Sequence, residues 1–487
     1  MSRVDRRELA CVVAVTACLV FLRSAVFIFY EQSFFDADQA IVGLMAKHLV
    51  EGRAFPLFYY GQNYMLGVDA YMAAPVFAVM GSSVAALHVA LALANLAAAV
   101  LIIVGLHRWG GLRPWLGLMA ASFFVCAPPL TAASLIEAGA NIGPFLYIPL
   151  LWMLRERPLF FGVVLGVGFL NREFTIYAVP ILAVFDLCER RLFRPERIRF
   201  WLLAMVATLA TWQGIQGLKP YADMMGPGTR GELVGGLNGS QVGNIADRIS
   251  LEWPDMPHRA GMMVSFHLAR LYGTIRQLDS IAHQGRGWMF WPFLAWMAVA
   301  LARAVDLGRR DSAWRRASFG AYLLGVGCLA ALGAIATRPT DMVVDRYVLL
   351  GLLIPIGLAS VHLSLESKLM LRRGTLALVT IWLVLAGSDH MQQYARYRGG
   401  TEPDETRELV NGLISRDVRV AEAGYWRAYK VAFLSGERVK VASTDVIRIS
   451  EYQRLAAEAG ANLVSIQDGP CGGGDRISLW YLCRPGP

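Results

Sequence analysis

Residues 34–72 read FFDADQAIVGLMAKHLVEGRAFPLFYYGQNYMLGVDAYM, and the layout of the whole chain turns on this stretch. It follows an apolar segment, yet it carries too many polar side chains to lie in lipid itself. Asp36 and Asp38 fall where a first membrane helix would leave the bilayer. Ile41, Leu44, Met45 and Leu49 then recur at helical spacing, which predicts an amphipathic helix on the membrane surface. Tyr59, Tyr60, Gln62, Asn63 and Tyr64 cluster ahead of Asp69, and their hydroxyls and amides suit a hydroxyl-rich ligand such as a sugar.

The composition around this stretch sets the class. Of 487 residues 56% are hydrophobic and only 17% charged, and the mean hydropathy is +0.44. That is too much apolar surface for a water-soluble fold, so a polytopic α-helical membrane protein is expected. The net charge of +9 does not point to nucleic acid, because the basic residues sit in short clusters between apolar segments, where they orient helices. The N-terminal MSRVDRRE precedes an apolar segment without a small-residue cleavage site, which predicts a retained transmembrane helix.

About eleven segments fit a span of some twenty residues. They lie near 8–30, 83–106, 113–128, 140–154, 157–171, 173–188, 198–219, 287–305, 317–337, 346–365 and 374–389. The connections MSRVDRRE, HRWGGLR, RERP, CERRLFRPERIR, RAVDLGRRDSAWRR and SKLMLRRG then fall on one side, the cytoplasm by the positive-inside rule. Opposite them fall the first loop (31–82), the turn APPLTAASLIEAG, the hinge at Asn171, Arg172 and Glu173, a long loop (220–286), the turn RPTDMVVDRY and the tail. All candidate chemistry is therefore expected outside the cytoplasm, where nucleotide-dependent chemistry is disfavoured.

Residues 1–389 are read as a transmembrane catalytic domain and 390–487 as a small extracytoplasmic α/β domain. The tail alternates helical RELVNGLISR, WRAYKVAFLSG and EYQRLAAEAG with strand-like RVAEAG, RVKVAS, NLVSIQ and ISLWYL. CGGGD introduces a strand rather than a helix, so it is no phosphate-binding fingerprint. Cys471 and Cys483 flank that turn and would pair in an oxidising compartment. Cys11, Cys18, Cys126, Cys188 and Cys328 lie in or beside apolar segments and are read as small buried hydrophobes.

Asp36 is placed to cap the helix that follows, with Gln39 completing a capping-box-like arrangement. Asp38, one turn position further in, is the candidate catalytic carboxylate, with Asp36 and Glu137 beside it. Glu137 precedes an apolar helix, where a carboxylate needs a partner or a function. Arg172 and Arg346 each interrupt an apolar run at the exterior end, with Glu173 and Asp345 as ordinary ion partners. Together with Tyr347 they are candidates for gripping a lipid phosphate, since guanidinium matches phosphate bidentately. Tyr60, Gln62, Asn63, Tyr64, Asp69 and His48 are candidates for sugar or acceptor binding, and His267 and Arg270 lie where they could join a site. No metal motif is present, so no cofactor is expected, although a divalent ion remains compatible with the carboxylates. Asn238, Gly239 and Ser240 match a glycosylation acceptor.

DADQAIVGLMAKHLVEGRAFPLFYYGQNYM resembles the first exterior loop of bacterial family-39-like members of the GT-C membrane glycosyltransferases, which include the protein O-mannosyltransferases and the lipid A aminoarabinose transferase. The likeness continues through Glu137, GVGFLNRE and the helix start at Arg346 and Tyr347. It implies a sugar donor linked to polyprenyl phosphate, a membrane lipid as carrier, and inverting transfer to an extracytoplasmic glycan, lipid or protein hydroxyl. Asp38 matches the first-loop acid and Glu137 the second-loop acid, while Arg172 and Arg346 fall where relatives carry basic residues near the donor phosphate. Gln39 stands where many relatives have a second acid, so Asp36 would have to supply it. The positive-inside pattern puts the N-terminus in the cytoplasm, and arginine in place of lysine points to a bacterial cytoplasmic membrane. The segment GYWRAYKVAFLSGERVKVAS is similar to tails of such proteins and is assigned acceptor recognition or a lid, against a purely stabilising cap.

Two other classes were weighed. A transporter or flippase for lipid-linked sugar gathers polar residues near the bilayer midplane, whereas here they gather at the exterior face. A noncatalytic envelope assembly protein leaves the acidic first loop without a purpose.

Overall fold

Backbone polar groups in hydrocarbon must be satisfied within the segment, and the apolar runs accordingly become helices. The computed structural model describes residues 3–30, 35–233, 239, 242–243, 249, 253–274, 289–310, 316–337, 345–400, 405–471 and 474–484. Six described helices are long and apolar enough to cross a membrane: Arg6–Phe29, Val84–Trp109, Pro195–Tyr221, Phe290–Leu307, Ser318–Ala336 and Leu369–Arg398. A seventh span is possible if a bent pair of helices counts as one. The other four predicted segments are helical but short, at 11 to 14 residues. The chain is thus a multi-pass membrane protein in which several predicted spans are too short to cross alone.

In chain order the first ten helices are α1 (Arg3–Phe29), α2 (Ala37–Val50), α3 (Val68–Met80), α4 (Val84–Trp109), α5 (Pro114–Val125), α6 (Pro129–Ile136), α7 (Gly143–Met153), α8 (Pro158–Asn171), α9 (Ala178–Cys188) and α10 (Pro195–Gly217). Next come α11 (Phe290–Arg310), α12 (Ser318–Ala336), α13 (Leu353–Leu365) and α14 (Leu369–Arg398). Residues 129–136, read from sequence as part of a turn, are helical: Pro128 and Pro129 stop α5 but suit the start of α6, and the two helices meet at 86°. Side chains absorb the carbonyls this break frees. Arg23 donates to Phe124 O and to Asn95 Oδ1, Asn95 Nδ2 donates to Leu135 O at 2.8 Å, and His390 Nε2 lies 2.8 Å from Ala127 O. The bend delivers Glu137 at the end of α6.

The α8–α10 pair shows how small residues allow close approach. A Cβ at Gly162 would lie 2.4 Å from Ala204 O, so only glycine lets the backbones meet there. Loop charges tie the arginine-rich connections together at one end: Arg191 and Arg197 both hold Asp186, and Arg303 Nη2 meets Glu366 Oε2 at 3.0 Å.

The tail forms a five-stranded sheet of β1 (Val420–Ala423), β2 (Lys440–Ser443), β3 (Val464–Gln467), β4 (Asp475–Ile477) and β5 (Trp480–Cys483), in the order β2-β1-β3-β5-β4. β1 runs parallel to β2 and β3, whereas β5 is antiparallel to β3 and β4. Helices α15 (Glu405–Ser415), α16 (Tyr425–Leu434) and α17 (Ser450–Ala459) complete the unit. ISLWYL, read as one strand, is instead split by a turn in which Ser478 takes φ 52°, giving a hairpin whose second strand is tied to the segment before β4 by the Cys471–Cys483 disulfide. The helix α14 also runs past residue 389 to Arg398 before the tail begins.

α2 forms where the first-loop pattern placed it, but it is covered on more than one side. Ala37, Gln39, Ala40, Ile41, Val42, Gly43, Leu44, Met45, Ala46 and His48 are all buried, because α3 and α16 both pack on it. Gly43 faces Phe433, whose ring also meets Phe35 and Phe77 at centroid distances of 5.7 and 6.3 Å. The α/β domain is therefore seated directly on the first loop.

Candidate active site

Asp36 takes an extended conformation before α2, and its Oδ1 accepts the Gln39 N–H at 3.0 Å, the N-cap geometry. Burial lifts its carboxyl to about 6; the Gln39 N–H opposes this and the neighbouring Asp38 charge adds to it. The Gln39 side chain turns inward, with Oε1 3.2 Å from His88 Nε2.

Asp38 follows in the first turn of α2 and stays partly accessible, at 23% side-chain exposure. Its Oδ1 accepts from the Tyr425 hydroxyl and, at 3.4 Å, from the Tyr59 hydroxyl, which also donates to the Asp38 carbonyl at 2.9 Å. Oδ2 faces Arg346 Nη1 at 3.9 Å. Arg346 is the middle residue of the short 3-10 turn Asp345–Tyr347, which packs against α6 and so stands beside Glu137. Its charge bears on Glu137, Asp38 and Asp36 together. Its expected partner Asp345 has a side chain outside the described residues.

Glu137 Oε2 accepts from Asn141 Nδ2 at 3.3 Å. Burial raises its carboxyl to about 7, with Arg346 opposing and the charges of Asp36 and Asp38 adding. The turn after it contains Gly139 at φ 148° and Ala140 at φ 67°. Asp69 holds that turn: its Oδ2 accepts the Gly139 and Ala140 N–H groups at 2.8 and 2.7 Å. Asp69 is 3% exposed and so points into the fold rather than toward a ligand.

Arg172 donates to Gly139 O at 3.5 Å, and its guanidinium lies 5.2 Å from the Phe174 ring centroid and 6.0 Å from that of Tyr347. Among the described residues no ion pair joins it to Glu173. Arg172 and Arg346 thus both bring positive charge to Glu137, with Tyr347 beside Arg172.

The remaining predicted ligand residues divide. His48 and Tyr60 are fully buried: His48 Nδ1 lies 3.1 Å from Tyr60 Oη, and its Nε2 lies 3.1 Å from Glu437 Oε1. Glu437 also accepts from Lys47, Arg53 and Tyr452, so this group joins the first loop to the tail. Burial works against the Glu437 charge, but the His48 and Lys47 contacts outweigh it and hold the carboxyl well below the usual range. Gln62, Asn63 and Tyr64 stay partly exposed, with Asn63 Oδ1 accepting the Gly239 N–H at 2.9 Å. Asn238 and Ser240 lie outside the described residues. His267 sits on a π-helical turn, Met263–Leu268, and Arg270 on the helical turn after it.

Two residues at this site were not singled out from sequence, Tyr425 and Arg448. Arg448 is 5% exposed, donates to Gly61 O at 3.0 Å and stacks 5.5 Å from the centroids of both Tyr59 and Tyr425. Neither belongs to a spacing pattern; only the stretch beginning at Gly424 drew attention. Among the described residues no three His, Cys, Asp or Glu side chains are grouped to hold a metal ion.

Carboxylates and arginines gathered at one end of a multi-pass bundle, with a small α/β domain seated on them, define a multi-pass membrane protein with its charged site under an α/β domain. The fold is similar to the crystal structure of ArnT from Cupriavidus metallidurans bound to undecaprenyl phosphate, with 12% identity, 97% of each chain covered and a TM-score of 0.58. The apo state of the same protein aligns at 9% identity over 97% of each chain, with a TM-score of 0.41. No family model matches the chain, and no curated protein matches it significantly.

Proposed function

We propose that the chain is a glycosyltransferase that moves a sugar from a polyprenyl-phosphate donor to an extracytoplasmic hydroxyl on a glycan, lipid or protein, with inversion at the anomeric carbon. The observation that carries this reading is the placement of Asp38, a partly exposed carboxylate with one oxygen held by tyrosines and the other facing Arg346 at 3.9 Å. The shared fold with a protein crystallised with undecaprenyl phosphate supports a lipid-phosphate donor.

In the proposed step Asp38 Oδ2 takes the proton of the acceptor hydroxyl as its oxygen attacks the anomeric carbon. The new glycosidic C–O bond forms on one face while the bond to the phosphate oxygen breaks on the other, and the electron pair leaves with polyprenyl phosphate. Arg346 and Arg172 offset the charge that develops on that phosphate, aided by Tyr347. Positive charge from arginines lets the step proceed without a metal ion. Asp36 serves mainly to fix α2, and Glu137 supplies a second carboxyl titrating near neutrality. Gln62, Asn63 and Tyr64 are the partly exposed first-loop side chains that would meet sugar or acceptor, whereas His48, Tyr60 and Asp69 shape the walls. The site and tail lie outside the cytoplasm, and the arginine-rich end lies inside.

The test uses the purified protein in nanodiscs with a panel of polyprenyl-phosphate sugars, following release of polyprenyl phosphate. Release from one donor by wild type, abolished by Asp38→Asn, is expected. No release and no binding with any donor would favour transport instead.

A further inference from the structure

We propose that Tyr425, carried by the α/β domain, is a positioning residue for the Asp38 carboxylate, so that the site is complete only with that domain docked. This rests on the reading of Asp38 as the proton acceptor. A stabilising cap needs apolar contact with the loop, and Phe433 against Gly43 already supplies that. It has no need to place a hydroxyl on a carboxylate that approaches Arg346 at 3.9 Å.

The geometry around Tyr425 is fixed from several directions. Its backbone N–H donates to Asp445 Oδ1 at 2.7 Å at the start of α16, and the residue is 5% exposed. Its hydroxyl donates to Asp38 Oδ1, the oxygen that Tyr59 also approaches. Arg448 stacks on both tyrosine rings and is itself anchored by the Gly61 carbonyl. Gly61 makes that anchor possible: it has φ 72°, and a Cβ there would lie 2.6 Å from Arg448 Cδ. One carboxylate oxygen is thereby committed to orientation, and Oδ2 is left toward Arg346 and the acceptor. Fixing a base in this way matters because a misplacement of about 1 Å costs on the order of 100-fold in rate.

Tyr425→Phe removes one oxygen and keeps the ring. The experiment measures kcat and KM for polyprenyl phosphate release in nanodiscs, on whichever polyprenyl-phosphate sugar wild type turns over, with melting temperature recorded in parallel. The expected result is a kcat lower by roughly 10- to 100-fold with donor KM and melting temperature unchanged. Tyr481→Phe, the same change on β5 of the same domain, leaves both constants as in wild type. A kcat equal to wild type in Tyr425→Phe, or a change in KM alone, overturns the proposal. A kcat above wild type also overturns it, because the hydroxyl would then be competing with the acceptor for Asp38. Absence of release by wild type, or release that survives Asp38→Asn, overturns the glycosyltransferase reading itself and is distinguishable from these outcomes.

Discussion

The two ends of the bundle treat buried carboxylates in opposite ways. At the arginine-rich end Asp186 is fully buried, with Oδ1 on Arg191 Nε at 2.7 Å and Oδ2 shared by Arg197 and Trp201 Nε1. Glu156 adds a further partner to Arg191 at 3.0 Å. Every oxygen of Asp186 is matched by a donor, and the group ties loops together. At the other end Asp36, Asp38 and Glu137 gather around Arg346, which among the described residues approaches Asp38 at 3.9 Å. Balanced charge is what a structural joint requires; several carboxylates gathered around one shared arginine are what a reacting site uses.

Paired substitutions at the two ends break or sharpen this contrast. Asp38→Asn should lower turnover by about 100-fold or more while leaving the melting temperature near wild type. Asp186→Asn should do the reverse, costing about 3 kcal/mol of stability, chiefly through the weakened hold on buried Arg197, since Arg191 keeps Glu156 and Glu189, with turnover per folded molecule retained. Turnover assays and thermal melts on both variants check the pair, and a stable, inactive Asp186→Asn would erase the distinction. Arg346→Ala should weaken donor binding by roughly 10-fold, and Arg172→Ala by less, read by titration with polyprenyl phosphate. Unchanged affinity in both removes the phosphate clamp.

The next effect is on pH dependence. Glu137 is lifted from an ordinary 4.5 to about 7, so the folded protein holds this proton more tightly than the unfolded chain does. Its contribution to stability is full below pH 4.5 and is lost as pH rises toward 7. Glu137→Gln should therefore flatten the fall in melting temperature across that window; a slope identical to wild type would mean that Glu137 is not the titrating group. The smallest effect belongs to Asp36→Asn, a cap change worth on the order of 1 kcal/mol or less, with turnover largely kept. Should Asp36→Asn prove inactive and Asp38→Asn active, the roles of cap and base are exchanged.

What the sequence carried was local. Apolar run length placed every membrane segment among the helices found, and Asp36 ahead of α2 was legible as a cap because its partner N–H lies three residues away. The tail's alternation of helix and strand was readable for the same reason, apart from the hairpin at Ser478, where a single left-handed residue reverses the chain without a glycine to mark it. The bend before α6 was hidden because Pro-Pro followed by an apolar octet reads equally as a turn.

The sequence by itself determined the membrane class, the gathering of Asp36, Asp38, Glu137, Arg172 and Arg346 at one end of the bundle, and the α/β character of the tail. Each follows from hydropathy, charge placement or a capping pattern spanning a few residues. Only the tertiary structure decided which polar residues face the site. It turned His48, Tyr60 and Asp69 inward as joints, and it brought Tyr425 onto Asp38 across 387 residues of chain. No short-range pattern encodes such a contact, because it depends on how α16 seats against α2, and that is settled by the packing of Phe433 against Gly43.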